Sequence, residues 1–387
     1  MRRLVAFACL VVFVDTMFYA AITPILPQLS DEFDLSKTGA GILAAAYPVG
    51  TFVGALPGGW MAARVGVKPT VLLGLSMLVG SSLAFAFGDS IVVLDIARFV
   101  QGLGGAASWA GALAWLIGAA PRERRGELIG TALAAAVAGA LFGPVLGALA
   151  DAVGQEAVFG AVAVVGVAMI TWAARMPAAQ PDVVTPLRSA IAALGQRRVA
   201  AGMWLTTLPG LFFGTVAVLA PLRLDELGAG SAAIAAAFLI GAAFEAVAAP
   251  VIGRLSDRRG RLIPCIMGVI GGGVSMLVLP WPESAWVLAV LIVLASPAIG
   301  ILYTPAMAML SEGAEEFGIA QGYAFALTNL AWGIGQGVGE AGSGRLADGV
   351  GDRVPYLILA GVAAATLVVL LRQLTRRAPE RALASRA

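Results

Sequence analysis

Apolar stretches of about twenty residues follow one another along nearly the whole chain, the length a helix needs to cross about 30 Å of hydrocarbon. Their approximate positions are 4–27, 38–63, 69–88, 90–119, 126–150, 157–175, 199–222, 232–253, 262–281, 284–310, 317–344 and 354–372. This succession predicts an all-α membrane protein with twelve transmembrane helices, in which the even count puts both termini on one side. The first stretch follows Arg2 and Arg3 as a signal peptide would, but it runs unbroken from Leu4 to Leu26 with no A-x-A site after it. It therefore reads as a span. Composition agrees: 59% of the residues are hydrophobic and 12% charged, where soluble domains carry roughly 25% charged. The 49 glycines fit close approach between helices.

Several chemistries are excluded. The chain has no His, which removes His-based triads, metal sites and proton relays. Its two cysteines, Cys9 and Cys265, lie far apart in apolar stretches and read as inert thiols. No P-loop signature occurs, so energy, if used, comes from a gradient rather than from ATP. No cofactor or metal is expected. A net charge of +2 gives no reason to expect nucleic acid.

The basic residues are sorted by side. With the N-terminus in the cytoplasm, 20 of the 25 Lys and Arg fall on cytoplasmic segments, while Lys37, Arg223, Arg345 and Arg353 lie opposite and Arg98 lies within a span. The positive-inside rule then places both termini in the cytoplasm of a multi-pass protein of the cell (inner or plasma) membrane. The acidic loop 311–316, with Glu312, Glu315 and Glu316, is an exception on that side. A proline-containing connection at 176–198 separates a six-helix bundle, residues 1–175, from a second bundle with a short basic tail, residues 199–387.

An internal repeat supports the division. At an offset of 194 positions Pro27-x-x-x-Asp31-Glu32 recurs as Pro221-x-x-x-Asp225-Glu226. Gly59, Arg64 and Gly66 recur as Gly253, Arg258 and Gly260, and Gly139 and Gly143 as Gly333 and Gly337. Three residues further out of register, Gly147-Ala-Leu-Ala-Asp151 is echoed by Gly344-Arg-Leu-Ala-Asp348. Two matching halves in one orientation are a transporter architecture, with the substrate near the midplane between them.

These residues resemble the major facilitator superfamily over the whole chain. Gly253-Arg-Leu-Ser-Asp257-Arg258-Arg259-Gly260-Arg261 is similar to its G-x-L-x-D-R-x-G-R loop. The equivalent loop after the second span keeps Gly59, Arg64 and Gly66 but has Ala63 where the family has Asp. Arg98-x-x-Gln101-Gly102 resembles the R-x-x-Q-G motif, whose arginine the resemblance links to proton coupling. Gly139-x-x-x-Gly143-Pro144-x-x-Gly147 resembles the antiporter motif of twelve-span drug/proton exporters, and Phe13-Val-Asp15-Thr-Met with Pro24-Ile-Leu-Pro27 is similar to the vesicular amine transporters. The resemblance implies a cytoplasmic latch built on Arg64, Asp257 and Arg258. Without an acid at position 63, that latch is expected either to rest mainly on Asp257 or to be held by apolar packing.

Four acids fall within spans: Asp15, Asp95, Glu245 and Glu340. An ionisable group at the bilayer centre costs at least about 2.5–3.5 kcal/mol on insertion scales, so each needs a partner or a wet cavity. Asp15 lies eleven residues after Leu4, roughly 16 Å into the span, and Glu245 eight before Gly253, about 12 Å. Both are deep. Asp15 heads the candidates, because an ionised carboxylate there attracts a cationic amine and a desolvated one holds a proton; a structural hydrogen-bonding role is its alternative. Glu245 carries the same pair of readings. Glu340 reads equally as a transport group or as a shallow ion pair with Arg345. Asn329 is a neutral candidate for hydrogen bonding the substrate, and Asp95 and Arg98 are spaced to pair with each other, the alternative being that Arg98 tunes a carboxylate across the cavity. Trp109, Trp115, Trp204, Phe212, Phe213, Tyr303, Tyr323 and Trp332 are candidate cavity aromatics, suited to lipophilic cations or else to plain packing. Gly143 and Pro144 are candidate gating residues in a glycine seam, and Pro297 and Pro305 predict a bend in span ten.

The expected function is secondary active transport: proton-coupled efflux of small lipophilic or cationic compounds, such as drugs or amines, by alternating access. The expected partners are a small-molecule substrate, protons and the lipid bilayer, for a chain working as a monomer. A facilitator or exporter of a neutral sugar or amino acid, and a non-transporting receptor, are the alternatives. An enzyme is disfavoured by the missing His and the absence of paired catalytic groups.

Overall fold

A computed structural model describes residues 1–119, 125–177, 192, 194–317 and 321–384. The described residues form twelve helical spans. They are span one, Arg2–Ala20 and Ile22–Glu32; two, Lys37–Arg64; three, Val67–Phe87; four, Ile91–Ala119; five, Arg125–Val153; six, Gln155–Arg175; seven, Arg197–Glu226; eight, Ser231–Arg259; nine, Leu262–Val278; ten, Ala285–Gly300 and Tyr303–Glu316; eleven, Gln321–Val350; and twelve, Arg353–Ala384. The first six form one half of the bundle and the last six the other. Large apolar side chains such as Val164, Val247 and Trp286 cover the outside, as lipid rather than water requires.

Two spans are broken, both at proline. Pro24 offers no N–H to Ala20, and span one is interrupted at Ala21. Pro305 offers none to Ile301, and span ten turns at Ile301–Leu302. The bend expected of Pro297 and Pro305 is therefore present, with its physical cause in the missing donor. Span eleven carries Asn329, Gln336, Glu340, Arg345 and Asp348 along its length. Of these, Gln336 and Glu340 are sheltered by neighbouring spans, while Arg345 and Asp348 are exposed at the end of the helix.

Glycine seams set which helices touch. A Cβ on Gly50 would lie 2.1 Å from the Phe99 carbonyl oxygen, and one on Gly102 would lie 2.0 Å from that of Tyr47. Spans two and four thus meet backbone to backbone. The repeating Gly139, Gly143 and Gly147 lie against span one, where added Cβ atoms would come within 2.3 Å of Phe13 O, 2.4 Å of Ala20 Cβ and 2.1 Å of Ala21 O. This is the close-packed seam that the four-residue spacing predicts, and Pro144 is buried within it. In the second half Gly335 and Gly339 make the equivalent contact with span seven, at Thr207 and Leu211. The repeat partners of Gly139 and Gly143, which are Gly333 and Gly337, instead face Pro48 and Val49 of span two in the other half. Sequence register and packing role have diverged here.

The halves close on each other at the face away from the termini, called distal below. Gly344 lies against the Lys37 carbonyl, Gly41 against that of Glu340 and Gly333 against that of Pro48. From Lys37 to Phe52 the seam runs about 22 Å at 1.5 Å per residue. At its end Asp348 caps span two from the opposite half. Its Oδ1 accepts from Lys37 N at 3.1 Å, and its Oδ2 accepts from Thr38 N at 2.7 Å and from the Thr38 hydroxyl. Lys37 Nζ bonds Asp352 at 2.6 Å and Glu226 at 3.0 Å. Asp151, the repeat partner of Asp348, accepts from the Ser231 hydroxyl at the start of span eight. The echoed Gly-x-Leu-Ala-Asp segments are thus two related ties across the same interface.

At the terminus-bearing face the acidic loop finds local partners. Arg261 Nη2 lies 2.8 Å from Glu312, and Arg198 pairs with Glu316. Lys68 Nζ donates to the carbonyls of Ala174 and Met176 at 2.7 and 2.8 Å, closing the end of span six. Gly66 (φ 115°) and Gly260 (φ 83°) make the short turns after spans two and eight, positions where a side chain would be strained. Arg64 and Arg258 are exposed beside them. The side chain of Asp257 lies outside the described residues, and so does that of Tyr323.

Candidate substrate and coupling site

Asp15 is buried in the middle of span one and is held through one carboxylate oxygen. Its Oδ2 accepts from the Tyr47 hydroxyl at 2.8 Å and from Trp109 Nε1 at 2.9 Å. Three spans therefore converge on one carboxylate, and glycine lets them. A Cβ on Gly105 would sit 2.7 Å from Asp15 Oδ1, 2.9 Å from Oδ2 and 3.0 Å from the Tyr47 hydroxyl. Trp109 is brought to the site as a hydrogen-bond donor, a role beyond the apolar lining expected of it.

Next to this group stands Arg98, 1% exposed. Its Nη1 donates to Gln101 Oε1 at 2.9 Å. Its guanidinium lies 5.1 Å from the Tyr47 ring centroid and 5.6 Å from that of Tyr19, over two rings that stack at 4.6 Å. Both contacts fall within cation–π range. The pairing expected between Asp95 and Arg98 does not form. Asp95 is only half-buried, and its Oδ1 has no hydrogen-bond partner, while Arg98 turns toward the tyrosines and the opposite half. The helix spacing permitted the pair; the aromatic and acidic surroundings on the other side decided against it.

Tyr19 carries the cluster across the interface. Its ring meets Trp332 edge-on at 5.5 Å, and Gln336 Nε2 donates to its hydroxyl at 2.5 Å. Glu340, 2% exposed, lies among Tyr19, Gln336 and Arg98 and interacts electrostatically with Arg98. The shallow pair with Arg345 is thus not what the fold makes: Arg345 is exposed at the distal end, and Glu340 belongs to the buried junction. Asn329 lies about three turns away on the same helix, half-buried.

Other candidates lie elsewhere. The Glu245 carboxylate packs over Gly300, where a Cβ would be 2.5 Å from it, and lies beside Tyr303. It forms a separate acidic position inside the second half. Phe212 is wholly buried in the apolar core against Gly272, because span nine offers no side chain there. Trp115 packs on Phe7, and Trp204 donates to Thr366 of span twelve. Gly143 and Pro144 belong to the seam that fixes the helix bearing Asp15.

Tyr19, Tyr47 and Gln336 were missed by sequence reasoning. Two of the three carried a signal. Tyr19 is four residues after Asp15, and Gln336 is four before Glu340, so each shares a helix face with a buried acid. Tyr47 carried none, since it meets Asp15 only through the packing of spans one, two and four.

The pattern of the Major Facilitator Superfamily matches residues 8–335. A chloramphenicol resistance protein of Streptomyces lividans is 30% identical over 273 residues, 67% of this chain and 67% of that one. The synaptic vesicular amine transporter of Homo sapiens is 24% identical over 319 residues, 78% of this chain and 59% of its own. The MFS-type transporter ppzB of Metarhizium rileyi (strain RCEF 4871) is 33% identical over 159 residues, 39% of this chain, and the match spans only a third of that relative's length. Among solved structures, a D-xylose–proton symporter superposes with a TM-score of 0.75 over 95% of this chain and 96% of its own, at 16% identity, a likeness of fold.

Proposed function

Because the chain belongs to the Major Facilitator Superfamily, and is therefore a membrane transporter of small molecules and not an enzyme, we propose that it exports small lipophilic or cationic compounds, drugs or amines among them, in exchange for protons. The observation that carries this reading is Asp15: a carboxylate at mid-membrane depth, held by Tyr47 and Trp109 and adjoining the junction of the two halves. Similarity to a chloramphenicol resistance protein and to vesicular amine transporters supports the substrate class and the direction.

The cycle follows from alternating access. With the distal face open to the outside, Asp15 takes a proton. Closure along the Lys37–Phe52 seam, the arrangement described above, turns the site toward the terminus-bearing face. That face carries the excess of basic residues and lies in the cytoplasm on this reading. There the proton leaves Asp15 and the substrate enters the junction beside the recharged carboxylate. Arg98, Tyr19 and Glu340 link the site to the other half, so that occupancy on one side is felt across the interface. The protein works in the cell membrane as a monomer.

In proteoliposomes under an imposed proton gradient, Asp15→Asn abolishes proton-driven accumulation of substrate while leaving the protein folded. An Asp15→Asn variant that concentrates substrate as the wild type does removes Asp15 from the mechanism.

A further inference from the structure

Arg98 poses a problem that its surroundings do not solve. Among the described residues its one hydrogen-bond partner is Gln101; Nε and Nη2 are buried and unpartnered. Those two nitrogens lie on one edge of the guanidinium and form the planar fork that matches a carboxylate with two parallel hydrogen bonds. Gln101 Nε2, one turn further along the same helix, is a third buried donor without an acceptor. Facing them from span eleven are two buried acceptors without donors, Gln336 Oε1 and Glu340 Oε2. Buried polar atoms are almost always satisfied, and each unmet one costs about 1–3 kcal/mol. Five at one junction, with donors in the first half and acceptors in the second, describe a missing partner of opposite pattern. The Tyr19 ring lies beside the Arg98 guanidinium, and Trp332 packs against that ring.

We propose that the junction binds a small zwitterion with an aromatic body, its carboxylate on the Arg98 fork and Gln101, its ammonium against Glu340 and Gln336, and its ring along Tyr19 and Trp332. The inference rests on the transporter reading of this junction and narrows its substrates to amines that also carry a carboxylate. A simple amine leaves the Arg98 fork empty. A simple acid leaves Glu340 and Gln336 without a donor. Only a ligand with both ends meets all five atoms, and by doing so it joins the halves at the point where they separate.

Three compounds with one aromatic body test this: L-phenylalanine, phenethylamine, which lacks the carboxylate, and 3-phenylpropionate, which lacks the ammonium. Binding to the full chain in nanodiscs is read from tryptophan fluorescence at neutral pH. L-Phenylalanine is expected to bind about tenfold or more tightly than either analogue, as one charge-assisted pair implies. Arg98→Gln removes its advantage over phenethylamine, and Glu340→Gln its advantage over 3-phenylpropionate. Equal affinities, tighter binding of phenethylamine, or no binding of any of the three at millimolar concentration overturns the proposal; water alone then fills the junction. The wild-type comparison stands even if a variant does not fold. Proton release in proteoliposomes separates the two levels. Protons moved by phenethylamine and not by L-phenylalanine sink this inference and leave the exporter standing. Tight L-phenylalanine binding with no compound moving protons does the reverse.

Discussion

Gly105→Ala places a methyl group against the Asp15 carboxylate. The new carbon would lie 2.7 and 2.9 Å from the two oxygens, where ordinary contact needs about 3.4 Å, so the carboxylate must retreat by roughly 0.7 Å. Its bonds to Tyr47 and Trp109 stand at 2.8 and 2.9 Å, and a shift of that size stretches at least one of them past 3.2 Å, the usual limit. Losing one hydrogen bond to a charged group costs about 1.5–3 kcal/mol. The gain from replacing glycine by alanine within a helix is at most about 1 kcal/mol. The net loss, about 0.5–2 kcal/mol, falls on the geometry of Asp15 and not on the fold at large. Gly80→Ala is the matched control, since a Cβ there meets nothing within 4 Å. In detergent-solubilised protein Gly105→Ala melts below wild type and Gly80→Ala at or above it. In proteoliposomes Gly105→Ala slows proton-coupled exchange by about 2- to 30-fold, the same free energy at 1.4 kcal/mol per decade. Wild-type melting and wild-type exchange in Gly105→Ala would show that the carboxylate is not held as described.

Other perturbations read other parts of the structure. Asp348→Ala removes a helix cap worth about 1 kcal/mol and frees the Lys37 end of span two. The distal face then opens about fivefold more often, seen as longer distances between spin labels at positions 36 and 349 in a background without Cys9 and Cys265. Acidification that protonates Asp348 and Glu226 has the same sign, because it removes acceptors that hold Thr38 and Lys37; closure is favoured above the carboxylate range and lost below it. Asp95→Asn leaves thermal stability unchanged or raised, since among the described residues its carboxylate has no cationic partner. A loss of about 3–5 kcal/mol, which breaking a buried ion pair brings, would restore the Asp95–Arg98 pair.

Much of this architecture was legible in the chain of residues. Span length fixed the helices, because hydrocarbon thickness sets how many apolar residues a crossing takes. The repeat identified matching halves, and the four-residue glycine spacing at positions 139, 143 and 147 identified a seam before its partner was known. The depth of Asp15 followed from counting residues. Orientation of side chains around each helix did not follow. A soluble helix betrays its inner face by polarity, but these spans are apolar on the lipid side and the protein side alike, so periodicity does not say which neighbour a residue meets. For that reason Asp95 and Arg98 looked like partners and are not, Glu340 looked shallow and is buried, and Phe212 looked like a wall and is core. Only the packing of spans one, two, four and eleven, decided by where glycine lets backbones touch, brings Asp15, Tyr47, Arg98, Tyr19 and Glu340 to one place.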